Sequence, residues 1–416
     1  MLSRRQLIQE SLAVVSVGLS VPSVFSKAVA LAAEESAART VSGKTLVVVQ
    51  MAGGMDGLNT VVPFKDAAYR ANRATLGVPE QDLLVVNDRV AFHPAMAELK
   101  KVFDAGKLAV IEGVGYPNPN FSHFKAMDIW QQADPDGRST EGWLGRYFEG
   151  LTDAEGHPLV GLSYGGRLPT AFASDTRTIP AVASLDAFAL QNAPGDRDPD
   201  ARRTSLMKLY DIYKPANTPY AALLDTTLDS AYESSLQLAT AHAAYRPAVA
   251  YPQSSLASGL RLMAELIDSG GGGASPLRVG HVTLGGFDTH TQQDQTLARL
   301  LRETSEAVSA FWQDVVAHGH GDDVLIMTWS EFGRRVKENA QAGTDHGSAG
   351  PMLLVGSAVK GGFYGEPPSL TNLDNGNLRF TTDFRTVYAT VLERWLGAPS
   401  EPILGGRFAP LAVLPS

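Results

Sequence analysis

The stretch that most constrains this chain is Asp323–Gly356, DVLIMTWSEFGRRVKENAQAGTDHGSAGPMLLVG. Two short apolar runs, Val324–Met327 and Met352–Val355, bracket a long polar excursion. Val324–Met327 lies between Gly-Asp-Asp and Trp-Ser, and its length and flanks read as a buried parallel strand. Ser330 and Glu331 emerge where that strand should end, followed by Arg334–Arg335 and then Thr344-Asp345-His346-Gly347. Ligand crevices of open α/β sheets lie beyond the carboxyl ends of the strands. Glu331, Asp345 and His346 are therefore expected to face one crevice.

Other segments repeat the pattern of a strand that delivers polar groups. Thr45–Gln50 runs into a glycine-rich turn carrying Asp56, and Leu277–Leu284 runs into Gly285–His290 with Asp288 and His290. Lys107–Ile111 leads to the loop Gly113–Asn120 and to Ser122, just ahead of a helical pattern over His123–Gln132. Further helical patterns cover Pro94–Ala105, a short element from a Thr140 cap to Phe148, Thr218–Ala244, Ser255–Ile267, Asp294–Val316 and Asp383–Leu396. Strands alternating with helices predict an α/β fold, a mostly parallel central sheet with helices on both faces. The expected organisation is one domain over residues 45–416, with a partly helical insertion or cap at about 154–255 that includes the polar segment Asn192–Arg203.

The first 32 residues are set apart from the fold. Ser3-Arg4-Arg5-Gln6-Leu7-Ile8, the mildly apolar Leu12–Phe25 and the small-residue options Ala28-Val29-Ala30 and Ala30-Leu31-Ala32 form a twin-arginine export pattern. The mature chain is then expected in the periplasm or secreted, with the export machinery as a partner. Its removal takes away a net +2 (Arg4, Arg5 and Lys27 against Glu10), moving the formal charge from −9 to about −11. Such a charge disfavours nucleic acid or an anionic membrane as the main partner. No later stretch is long and apolar enough to span a bilayer. The absence of cysteine excludes disulfides, thiolate metal sites and thiol nucleophiles.

Asp56, Asp288, His290, Glu331, Asp345 and His346 together offer carboxylates and imidazoles from separate strand ends. Such a set suits zinc, manganese or iron, as one ion or as two clamping a phosphoryl group. Each acid alone reads equally as a cap or turn former. Ser122 is an N-cap or a nucleophile, since helix N-termini attract anions. His123 is a ligand, a general acid or a partly buried histidine, and Asn120 is a donor to an oxyanion. Ser122, His123 and Asn120 are thus the catalytic candidates. Arg334 is the candidate for holding a substrate anion.

Taken in order, GGMDGLN (Gly53–Asn59), YPNPNFSHF (Tyr116–Phe124), GWLGRY (Gly142–Tyr147), GGFDTH (Gly285–His290), TWSEFGRR (Thr328–Arg335), GTDHG (Gly343–Gly347) and DFRTVYATVLERWLG (Asp383–Gly397) closely resemble the bacterial exported family called domain of unknown function 1501. That family looks like a distant branch of the alkaline phosphatase/sulfatase superfamily. The resemblance implies an alkaline-phosphatase-like sheet and one or two divalent metals. It also implies hydrolysis of phosphate- or sulfate-type esters, with a small anionic ester or a cell-envelope molecule as substrate. By that resemblance Asp56 matches the first-strand metal acid, and Asp288 with His290 a later pair at compressed spacing. The adjacent Asp-His pair matches either Asp345-His346 or Glu331-Phe332, the latter making His346 the isolated late histidine. Without cysteine, sulfatase chemistry through formylglycine is excluded, and Ser122 is the positional match for a nucleophile. The alternative is a non-catalytic exported binding or assembly protein that keeps a degenerate site.

Overall fold

The computed structural model describes residues 43–151, 159–184, 205, 208, 234–269 and 277–415. The export pattern, Asn192–Arg203 and most of the Thr218–Ala244 pattern lie outside them, although 234–244 is helical. Among the described residues no helix is long and apolar enough to cross a membrane.

The centre is a nine-stranded sheet. Its strands are β1 (Thr45–Met51), β2 (Leu108–Gly115), β3 (Gly161–Tyr164), β4 (Ala181–Val182), β5 (Val279–Leu284), β6 (Val324–Trp329), β7 (Gly350–Val355), β8 (Gly362–Tyr364) and β9 (Thr382–Asp383). The order is β8-β2-β7-β6-β1-β5-β3-β4, with β9 also pairing with β2. β7 runs antiparallel to both its neighbours, and the other pairings are parallel.

Alternation along buried strands divides the core between the two faces, because successive side chains point to opposite sides. Val47, Val49, Ile326 and Leu353 pack with α4 (Ser255–Asp268) and α5 (Gln293–Ala317), and with α1 (Ala97–Asp104). Leu46, Val48, Leu325, Met327 and Leu354 pack on the other face with α2 (His123–Gln132), α3 (Trp143–Glu149) and α6 (Phe384–Arg394). Helices cover both faces, as expected. Several boundaries differ, and β2 runs on to Gly115, into the loop expected over Gly113–Asn120. α3 starts after Gly142 and not at Thr140, and Pro94–Met96 is a tight turn ahead of α1.

The reversed direction of β7 places the site. β6 ends at Trp329, and an antiparallel β7 must begin at that same edge, so all of Ser330–Ala349 stays there. β2 is parallel to β6, so its end at Gly115 opens onto the same edge, as do the ends of β1 and β5. Four loops therefore meet at the carboxyl ends of β1, β2, β5 and β6.

Candidate metal centre

The excursion between β6 and β7 folds back on itself. Gly333 N–H donates to Ser348 O at 2.9 Å, Gly347 N–H to Gly333 O at 2.8 Å and Arg335 N–H to Asp345 O at 3.0 Å, which sets His346 opposite Arg334. Its tip docks on the loop after β5. Asn339 Nδ2 donates to His290 O at 2.9 Å, and Thr344 N–H donates to Thr289 O at 3.1 Å. A Cβ on Gly343 would collide with His290 O, so this approach needs glycine for space. Gly53, at φ +120°, is equally constrained, since a Cβ there would strike the Asp288 amide.

Three imidazoles converge on Asp288. His290 Nε2 lies 3.0 Å from Asp288 Oδ1, His346 Nε2 lies 3.1 Å from the same oxygen, and His123 Nε2 is 3.4 Å from Oδ2. His290 Nε2 and His346 Nε2 are 3.0 Å apart. Each Nδ1 is turned away to an acceptor: His123 to Glu331 Oε1 at 2.7 Å, His346 to Phe121 O at 2.8 Å and His290 to Asp345 Oδ1 at 3.3 Å. A neutral imidazole that donates from Nδ1 has only a lone pair on Nε2. Three lone pairs thus face one another and a carboxylate, and His123 Nε2 is buried with no hydrogen-bond partner. Either protons or a cation must lie between them.

Burial, with the charges of Arg334 and His123 nearby, depresses the His346 pKa against its hydrogen bond to Phe121 O. Asp288 feels an opposing burial effect, but the hydrogen bond and charge of Arg334 hold its pKa at about 2. The Glu331 hydrogen bond raises the His123 pKa against burial, which makes that ring a better base and ligand. Tetrahedral coordination at about 2.0–2.1 Å puts neighbouring ligand atoms about 3.3 Å apart. The contacts of His290 and His346 with Asp288 Oδ1, and of these two rings with each other, are 3.0–3.1 Å, close to that edge length, while His123 meets Oδ2 at 3.4 Å. His123, Asp288 and His346 form the one group of three or more metal-type side chains within 4.8 Å found among the described residues. His290 adjoins it.

Several expected roles change. Glu331 is fully buried and accepts from His123 and from Gly53 N–H at 2.8 Å, so it orients the His123 ring and lies outside the cluster. Asp345 orients His290, its own pKa lowered against burial by the Asn339 and His290 hydrogen bonds. Asp56 is not brought to the imidazoles. Its carboxylate is fully buried against Arg73, with Nη1 at 2.5 Å and Nη2 at 3.1 Å, and also accepts from Gln293 and Leu58 N–H. Arg334, expected on a substrate anion, is likewise fully buried. Its donors serve the carbonyls of Gly53, Gly54, Phe287 and Thr344, and Asp288 Oδ1 at 2.7 Å. A guanidinium so committed positions Asp288 and is not free for an anion.

Ser122 is the N-cap residue of α2, is exposed, and makes no capping bond with its side chain. Asn120 Oδ1 accepts the Ser122 N–H at 2.9 Å, fixing the turn that presents His123. Sequence reasoning missed Arg73 and Gln293, and named Phe332 only as a neighbour of Glu331. Phe332 packs its ring 4.8 Å from that of His123 and 4.7 Å from that of His346, forming an apolar floor. Its place directly after Glu331 at a strand end was the available signal.

A family model described as "Protein of unknown function (DUF1501)" matches residues 43–397. This chain belongs to that family. No curated protein sequence matches it. Among solved structures, this DUF1501 chain is similar to a protein in the alkaline phosphatase superfamily from Vibrio parahaemolyticus, at TM-score 0.43 and 10% identity over 89% of this chain and 70% of that one. It is also similar to a sulfatase from Pseudoalteromonas sp., at TM-score 0.38 and 10% identity over 90% and 72%. A third similar structure is a phosphonate monoester hydrolase of Agrobacterium radiobacter, at TM-score 0.36 and 10% identity over 88% and 78%.

Proposed function

We propose that this DUF1501 chain is an exported metal-dependent hydrolase of phosphate- or sulfate-type esters. The observation that carries the reading is the convergence of His123, His290 and His346 on Asp288 with every Nδ1 tied to an acceptor. Ligating histidines in metal sites are held in this way. A nitrogen-rich set with one carboxylate suits zinc or iron, and also manganese. A divalent ion held there would polarise an ester oxygen as a Lewis acid.

The remaining roles fall to the chain's own groups. Asp288 and His290 are partly exposed, at 46% and 42% of their side chains, so an ester approaches from their side. Ser122 supplies the nucleophilic hydroxyl at the start of α2, adjacent to His123, and the Asn120 amide donates to the oxyanion. Glu331 and Arg334 hold His123 and Asp288 in register. The test is hydrolysis of p-nitrophenyl phosphate and p-nitrophenyl sulfate by metal-loaded protein. Ser122→Ala is expected to reduce turnover by roughly a thousandfold or more while metal content stays at the parent level. Undiminished turnover would remove Ser122 from the mechanism.

Export rests on Ser3–Ile8. Changing Arg4 and Arg5 to lysine is expected to leave precursor in the cytoplasm, and normal accumulation outside it would refute this.

A second reading has its own support. Asp56 is sequestered by Arg73 and Arg334 is saturated, which suits a non-catalytic binding protein whose site is degenerate. Metal-loaded protein that binds such esters without turning over any of them would favour it.

A further inference from the structure

We propose that the site selects monoanionic esters bearing an apolar group, such as phosphodiesters or phosphonate esters, over dianionic monoesters, and that Phe121 and Phe124 hold the apolar group. This rests on the metal-site reading above. Two features carry it.

The first is charge. The centre holds two carboxylates, Asp288 and Glu331, against one guanidinium, Arg334. A divalent ion therefore leaves a single positive charge there. Arg73 adds nothing, because it is fully buried and paired with Asp56. At the rim Asp345 and the exposed Arg335 offset one another. A monophosphate dianion would be left with a charge that no free cation at the centre meets. A diester or phosphonate-ester monoanion is matched.

The second is the lip. The exposed large hydrophobic side chains among the described residues include three phenylalanines, Phe121, Phe124 and Phe380. All three belong to one edge. Phe121 and Phe124 flank Ser122-His123, and the Phe121 carbonyl holds His346. Phe380 Cβ occupies the space that a side chain on Gly115 would need, at the end of β2 that delivers the same loop. Phe124 is 85% exposed and directly follows a metal-type histidine in the chain. An aromatic or acyl group on the second ester oxygen would cover these rings and gain contact that a bare phosphate cannot.

The test uses phosphinates, which have no ester bond to break, and measures their binding to zinc-loaded protein by calorimetry. Diphenylphosphinate is a monoanion with aryl groups, dimethylphosphinate a monoanion without them, and phenylphosphonate a dianion at mildly alkaline pH. Diphenylphosphinate is expected to bind about tenfold or more tighter than either of the others. Phe121→Ala and Phe124→Ala should each weaken it about fivefold and leave dimethylphosphinate unchanged. Tightest binding by phenylphosphonate would overturn the charge argument. Equal binding of the two phosphinates, or no effect of either substitution, would overturn the aromatic one. Turnover plays no part, so failure to hydrolyse any ester counts against the hydrolase reading and not against this selectivity.

Discussion

Arg73→Ala is expected to cost the chain about 3–5 kcal/mol of stability, the usual penalty for leaving one partner of a buried ion pair unpaired. Both side chains of the Arg73–Asp56 pair are fully buried. The Asp56 carboxylate also receives Gln293 Nε2 and Leu58 N–H, while Arg73 donates from Nε to Val336 O at 2.7 Å and from Nη2 to Arg335 O at 2.9 Å. The pair therefore bolts the loop after β1 to the excursion after β6. Urea unfolding measures the loss, and Asp56→Ala should match it. Replacing the two together by apolar residues of similar volume should recover much of the stability. A loss under about 1 kcal/mol for Arg73→Ala would contradict a buried clamp, being the range of a surface pair. Asp56→Asn separates clamp from ligand: the metal content should hold at the parent level, and a fall would return Asp56 to the ligand set.

Much of the sheet was legible because buried strands announce themselves. Val324–Met327 and Thr45–Gln50 are continuous apolar or β-branched runs, and the strands found, Val324–Trp329 and Thr45–Met51, extend them by one or two residues. The helix His123–Gln132 was read with its observed bounds. Strand direction was not legible. Nothing in Met352–Val355 says that β7 is antiparallel, yet that reversal keeps Ser330–Ala349 at one edge and brings His346 opposite Arg334. The fold-back of Asn339–Asp345 needs Gly343 for space beside His290 O and not for a positive φ.

Within the site, residue type gave the candidates and partners decided the roles. Asp56 and Glu331 look alike in sequence as acids at strand ends. One is neutralised by an arginine 17 positions away, and the other is spent on His123 Nδ1. Arg73 carries no local mark of its task, so the pairing could only come from coordinates. His123 joined the cluster because α2 starts at the shared edge, a tertiary fact.

The second large effect concerns the ligands. Asp288→Ala and His346→Ala are expected to lower metal affinity by more than the 10–100-fold typical of a residue that only orients a ligand. Glu331→Gln, which weakens the support of His123, should fall within that 10–100-fold range. Glu331 is buried and bonded to Gly53 N–H, so its variant needs an unfolding measurement alongside.

The measurement that tests the central claim most directly is bound metal per chain in purified mature protein, by elemental analysis, for the parent, Asp288→Ala, His290→Ala and His346→Ala. The geometry leads to about one transition-metal ion per parent chain. The variants should stay soluble and folded but lose most of that ion. A parent chain that takes up no transition metal when it is supplied, or variants that retain the parent's content, would contradict a metal centre at Asp288.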